Sequence, residues 1–245
     1  MAVFNDNIRN AIRVDLDGNS IGFATGPGGD KAAIQRGVVG AIDDFTSEPT
    51  ETVNYVSAHD NLTLWDKLLK VAAKESDATR RAMQKLALGI VLTSQGIAFI
   101  DEGSDFCRTK NGNNNSYNAG DEVNALDWKR KLEYRDVFEY VRGLIALRKA
   151  HAAFRMSDDA MVRKSIKFLD NSGVVSFIIN GAAVGDEWNS IFVAYNGEPK
   201  SQSVNLPAGT WAIVVDSKNA GVETLRSATG KLEMPPYSML VARTQ

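Results

Sequence analysis

The sequence predicts an α/β region followed by an all-β region. Three observations carry this expectation. Strand-like and helix-like stretches alternate up to about residue 155; beyond it, apolar residues recur at every second position over short segments; and clusters such as Asp170-Asn171-Ser172-Gly173, Asn196-Gly197-Glu198-Pro199 and Pro207-Ala208-Gly209 separate those segments. The chain of 245 residues is 44% hydrophobic and 24% charged, a balance that can build a core and lies far from that of a disordered chain.

The first 50 residues read as short pieces and loops, because Gly18, Gly22 and Gly26-Pro27-Gly28-Gly29 interrupt every periodic run. Residues 53–58 form a compact β-favouring run, Val-Asn-Tyr-Val-Ser-Ala, which delivers His59-Asp60-Asn61 at its C-terminal end. Leu64, Leu68 and Ala72 then mark one helix. A second, capped at Ser76 or Asp77, places Met83, Leu86 and Ile90 on one face and stops at Gln95-Gly96. Residues 97–100 (Ile-Ala-Phe-Ile) read as another buried strand. Residues 108–128 form a long Asn- and Gly-rich loop, and Val137, Val141, Leu144, Ile145 and Arg148 mark an amphipathic helix with His151 at its C-terminal cap. Strands are expected over 165–169, 174–180, 190–196, 203–206, 211–216 and 238–243, in an antiparallel sandwich, with the domain boundary near 152–159. A complete (β/α)8 barrel takes about 250 residues. The first region is therefore either a small α/β domain of its own or the back end of a larger barrel.

Composition narrows the function classes. With 28 Lys+Arg against 30 Asp+Glu, no global field recommends nucleic acid or anionic lipid, and an electroneutral ligand fits better. A single cysteine, Cys107, and two histidines, His59 and His151, supply neither a disulfide framework nor a Cys/His zinc site. No metal site is read: acidic and Asn-rich loops could hold calcium, yet no EF-hand-like spacing is present. The apolar runs 89–100 and 173–185 are too short for a membrane span. The first residues lack a signal peptide, and any such signal would lie upstream of this segment, so localisation is left open.

The sharpest constellation is Tyr55-Val56-Ser57-Ala58-His59-Asp60-Asn61-Leu62-Thr63-Leu64-Trp65-Asp66-Lys67. An ionised aspartate at a strand tip, flanked by an imidazole and an amide, can bind sugar hydroxyls and counter the positive charge of an oxocarbenium-like transition state. A bare His-Asp pair more often caps a helix and satisfies a loop. With its flanks, however, the motif resembles strand seven of the catalytic barrel in the α-amylase superfamily (glycoside hydrolase family 13), in the form seen in type I pullulanases. Phe4-Asn5-Asp6-Asn7-Ile8-Arg9 is similar to the stretch that follows the general-acid strand there, and Arg36-Gly37-Val38-Val39-Gly40 leads, as there, to Asp44-Phe45-Thr46. Ser94-Gln95-Gly96-Ile97 through Arg108-Thr109-Lys110 looks like strand eight. Asn115-Ser116-Tyr117-Asn118-Ala119-Gly120-Asp121-Glu122-Val123-Asn124 with Asp127-Trp128 matches the loop after it. The sequence departs from the family at Asn10 and Val14, where Asp and Gly are usual, and at Asp101-Glu102-Gly103, where many members have His-Ala-Gly.

The resemblance implies the C-terminal part of a (β/α)8 barrel over residues 1–155, about strands six to eight, followed by a β-sandwich over 156–245 that covers barrel surface. It implies retaining hydrolysis of α-1,6-glucosidic bonds in an α-glucan such as pullulan, starch or glycogen branches. The nucleophile and general acid belong to strands four and five, in a missing N-terminal half of the barrel, so the segment alone is expected to be inactive. Within it, Asp60 is implied as transition-state stabiliser, with His59, Asn61, Tyr117, Asp121 and Asn124 binding substrate. Trp65 and Trp128 are expected to pack in the core. Two other function classes remain at this point: a noncatalytic glucan-binding or interaction module, and a complete small enzyme with Asp60 as base opposite Asp101, Glu102 or Asp105.

Overall fold

The computed structural model describes residues 1–245. Strand β1 (Val3–Phe4) leads into helix α1 (Asp6–Arg13), and helix α2 (Lys31–Val38) follows. The first 50 residues are thus not merely short pieces and loops. Asn5 caps α1 by accepting from Ile8 N, and Asp30 caps α2 by accepting from Ala33 N, so two polar side chains start helices that the surrounding glycines obscured. Gly37 lets the two helices close: a Cβ there would lie 2.5 Å from Ile8 Cγ1.

Strand β2 (Thr52–Asn54) precedes helices α3 (Leu64–Val71) and α4 (Asp77–Thr93), capped by Thr63 and Ser76, and strand β3 (Ile97–Ala98) follows. Both strands are shorter than the apolar runs that announced them. The β2 ladder ends at Asn54, so four residues separate it from His59. The three strands form a parallel sheet in the order β1-β2-β3, with Val3 opposite Thr52 and Val53 opposite Ile97. Parallel sheets are ordinarily covered on both faces and paired along their edges. Here β1 and β3 are both edges, and Val3, Phe4 and Ile97 are 46–50% exposed.

The polar loop that follows carries the short helices α5 (Asp121–Asn124) and α6 (Arg130–Glu133), then comes the long helix α7 (Arg135–Ala150). Trp65 is buried, as expected, but Trp128 is 63% exposed and leans on Phe106 with ring centroids 5.5 Å apart, which corrects its assignment to the core.

Helix α8 (Asp159–Ser165), capped by Asp158, opens the β-rich part and claims Ser165, expected in a strand. The strands are β4 (Ile166–Leu169), β5 (Val175–Asn180), β6 (Ser190–Asn196), β7 (Gln202–Asn205), β8 (Trp211–Val215), β9 (Arg226–Ala228), β10 (Lys231–Met234) and β11 (Ser238–Thr244). All their pairings are antiparallel. The expected sandwich is lopsided: six strands run β4-β5-β6-β11-β8-β9, and the opposing layer is the two-stranded ribbon β10-β7. Strands β9 and β10 went unseen in the sequence because three and four residues, mostly polar, are too few for an alternation to stand out beside the Gly230 turn.

The six-stranded sheet is buried on both sides. On the ribbon side, Phe192, Ala194, Trp211, Leu240 and Ala242 form a small core with Val204 and Met234. On the other side, Phe177, Ile191, Val193, Tyr195 and Val241 join Leu86, Ile90 and Leu144 in a core that continues to Trp65 and Ile8. Polar groups cross the same boundary. The Thr93 and Tyr195 hydroxyls lie 2.6 Å apart across it, while on the helical side Arg148 Nη1 donates to the carbonyls of Leu92, Ser94 and Phe154 and Nη2 to that of Gly96. His151 stands at the C-cap of α7, yet its ring acts across the boundary. Nδ1 is 2.8 Å from Asp186 Oδ1, and the imidazole stacks on Trp188 at 3.5 Å. Burial would raise the Asp186 carboxyl, but hydrogen bonds from Trp188 N, Ala153 N and His151 hold it below its ordinary range.

Candidate active site

The turn His59-Asp60-Asn61 projects from the C-terminal side of the middle strand of the parallel sheet. His59 and Asp60 are exposed, with His59 Nε2 3.5 Å from Asp60 Oδ2. Asn61 adopts φ +65°, the left-handed conformation that asparagine tolerates better than most residues and that reverses the chain toward Thr63.

Side chains from three other segments fix this turn. Arg13, fully buried at the end of α1, donates from Nη1 to the carbonyls of Val56 and Leu62, one on each side of the turn, and from Nη2 to that of Leu16. Burial pulls its guanidinium down to about 10, which still leaves it charged at neutral pH. Asp17 accepts from Leu62 N at 2.9 Å and from Asn61 Nδ2 at 2.8 Å. Partial burial pushes the Asp17 carboxyl up, but these bonds and one from Asn114 outweigh it and leave it below its ordinary value. Lys110 Nζ donates to the His59 carbonyl at 2.9 Å, while Lys110 N and the Thr109 hydroxyl donate to Asp66. Lys67, its side chain fully buried, pairs with Asp15 and donates to the Gly18 carbonyl. The backbone around Asp60 is thus held by groups that are up to 51 residues away from their partners in the chain.

These positioning residues were not legible in advance. Arg13 and Asp17 lie in an irregular, glycine-interrupted stretch, and no periodicity announces a partner across the fold. Of the residues expected to bind substrate, Asn61 has its amide engaged by Asp17. Asn124 Nδ2 donates to the Ser116 carbonyl at 2.6 Å and its own carbonyl accepts from Arg108, so it closes the loop. Tyr117 is 81% exposed and Asp121 is exposed at the start of α5. None of Tyr117, Asp121 and Asn124 hydrogen-bonds to the 59–61 turn; the loop reaches it through Lys110.

Two further possibilities can be placed. Asp101 and Asp105 both have carboxyls raised by burial, but none of the five principal clefts includes Asp60, Asp101, Glu102 or Asp105. Glu48, Asp158 and Asp159 converge at metal-ligand spacing, yet Glu48 accepts from Asp159 N, Asp158 caps α8 and Asp159 pairs with Arg163. That group works as a helix start.

Residues 162–219 match the family model described as pullulanase, all-beta domain. A pullulanase of Bacillus subtilis (strain 168) is 36% identical over 215 residues, 83% of this chain and 29% of that protein. The solved pullulanase from Bacillus acidopullulyticus superposes with a TM-score of 0.96 at 43% identity, over 99% of this chain and 30% of that one. The chain belongs to the pullulanase family. It spans less than a third of the length of these two pullulanases. A further solved pullulanase, from Anoxybacillus sp. LM18-11 and complexed with maltotetraose, is 36% identical with a TM-score of 0.90, over 100% of this chain and 35% of that one. No helix here is long and apolar enough to cross a membrane.

Proposed function

We propose that this chain is the C-terminal part of an α-glucan debranching hydrolase, with residues 1–155 forming about the last three β/α units of a (β/α)8 barrel and 156–245 the β domain behind them. The complete enzyme cleaves α-1,6-glucosidic bonds with retention. That outcome requires a nucleophile and an acid/base carboxyl about 5–5.5 Å apart, and both would come from strands outside these 245 residues. Asp60 supplies the third carboxylate, which counters the cationic sugar in the transition state, and His59 donates to its hydroxyls. Asn61, Tyr117 and Asp121 line the approach, and Asn124 shapes the loop that carries Tyr117.

The observation that supports this most directly is the placement of the His59-Asp60 pair, open to solvent beside a parallel sheet whose two edges are free. A carboxylate serving only as a cap would be spent on backbone N–H groups, and Asp60 accepts from none. The test is pullulan cleavage. The chain joined to its upstream sequence is expected to release reducing ends from pullulan, and Asp60→Asn to cut kcat by about 10²–10³, the loss typical of removing one transition-state electrostatic partner. Cleavage by the 245 residues alone, or an Asp60→Asn enzyme with full kcat, would overturn the reading.

A further inference from the structure

The neighbouring strands β2 and β3 lead to two very different carboxylates. Asp60 stands open to solvent beyond β2, whereas Asp101, the third residue after β3, is only 8% exposed. Asp101 also occupies a position where the sequence departs from its family, and the proposed chemistry leaves it without a role.

The Asp101 carboxyl forms no ion pair and accepts no side-chain hydrogen bond; the Glu102 N–H is the one backbone donor that bears on it. The charged groups around it are Arg108, then Lys110, with Glu102 opposing them. Lys110 is 2% exposed, and its ammonium bonds only the His59 carbonyl, at 2.9 Å, although it has donors for more. Arg108 donates to the Asn124 carbonyl at 2.9 Å, and its Nε is buried without a partner. Neither cation is in an ion pair. Of the carboxylates that act on Lys110, Asp101 acts most strongly, ahead of Asp66 and Asp60, and Asp66 is already engaged by Lys110 N and the Thr109 hydroxyl.

Burial dominates at both ends of this arrangement. It pushes the Asp101 carboxyl above its ordinary range and pulls the Lys110 ammonium below its own. Their attraction therefore falls short of the cost of burying them, and neutral side chains would make the strand tips more stable. Charge retained where it costs stability points to a functional role. That role follows from what each cation holds. Lys110 fixes the carbonyl of His59, beside Asp60, and Arg108 fixes the loop carrying Tyr117 through Asn124. Beneath a site that must favour a cationic sugar, uncompensated positive charge works against Asp60.

We infer that Asp101 is a positioning residue of the Asp60 site: its carboxylate balances Lys110 and Arg108, so that these cations hold the turn and the loop without offsetting the field of Asp60. The inference rests on the function proposed above. Asp101 acts through the two cations and not by contact with the sugar.

The test has two arms. In the 245-residue chain, carboxyl-carbon NMR is expected to show Asp101 titrating above the ordinary 3.8, and higher still in Lys110→Gln, where one attracting cation is gone. Because burial opposes the ionised form, Asp101→Asn is expected to raise the urea midpoint at neutral pH, a gain that vanishes as pH falls toward 3.8. In the chain joined to its upstream sequence, Asp101→Asn is expected to lower kcat on pullulan about three- to tenfold at neutral pH and to leave KM nearly unchanged. The ratio of wild-type to variant kcat should then close to one as pH falls through the Asp101 titration, since a protonated carboxyl and an amide carry the same charge. A ratio of one at neutral pH, or a loss that ignores pH as a packing role would give, overturns the inference. So does an Asp101 titration unmoved in Lys110→Gln, or a lowered urea midpoint, which would make Asp101 a structural residue. A complete chain that leaves pullulan uncut counts against the proposed activity instead, and the NMR arm still decides whether Asp101 and Lys110 are coupled.

Discussion

Asp60 carries the proposed chemistry, but Arg13 determines where Asp60 stands. One guanidinium supplies the donors for three carbonyls that bracket the turn and the loop before it, and no water-exposed alternative exists at zero exposure. Arg13→Met keeps the length of the stem and strands those carbonyls, so unfolding free energy is expected to fall by about 2 kcal/mol or more. Amide exchange should quicken at residues 57–62, while unchanged exchange there would remove Arg13 from its positioning role. Asp15 offers a pH signature. Partial burial pushes its carboxyl up, but bonds from Lys67 and Ser20 win and bring it down to about 2, below an ordinary 3.8. Because the folded value is the lower one, the stabilisation is fully present above about pH 4 and is lost as pH falls toward 2. Urea midpoints of the wild type and Asp15→Asn should therefore differ above pH 4 and converge near pH 2. At this scale His59-Asp60 was legible because motif and flanks stood contiguously in the chain. Arg13, Asp17 and Lys110 were not, since their partners are set by tertiary proximity alone, and Trp128 misled because an aromatic side chain gives no sign in sequence of whether its neighbours will cover it.

Among the elements, α3, α4 and α7 were legible from apolar spacing and caps, whereas α1 and α2 hid behind glycines that serve close approach rather than disorder. Gly143 makes the same point inside α7, where a glycine costs about 0.5–1 kcal/mol relative to alanine. A Cβ at that position would lie 2.0 Å from the Ala220 carbonyl oxygen, so the bare backbone is what lets the helix lie against the 216–220 turn. Gly143→Ala should thus destabilise despite its better helix propensity, by about 1–3 kcal/mol as other overpacked contacts do, and a thermal scan showing a raised Tm would refute this account of the contact. Strands β2 and β3 were located correctly but overextended, because apolar runs record burial, while a ladder also needs a neighbour to pair with, and β1 and β3 have one neighbour each.

For the whole molecule, the change of period near residue 155 separated helical from β-rich sequence, but it did not show that both would share one interior. The core that joins Trp65, Leu144 and Phe177 leaves neither part a complete hydrophobic interior of its own. Calorimetry is expected to give one cooperative transition; two resolved transitions, one assignable to residues 156–245, would contradict that. The six-stranded sheet lies between helices on one side and a ribbon on the other, and strand β6 shows the result, with Ile191 through Asn196 all buried. Antiparallel strands elsewhere usually keep one wet side, where substitutions accumulate at little cost. Here that reservoir of neutral drift is closed: along β6 odd and even positions alike are constrained, so tolerated substitutions are expected in turns and outer strands instead.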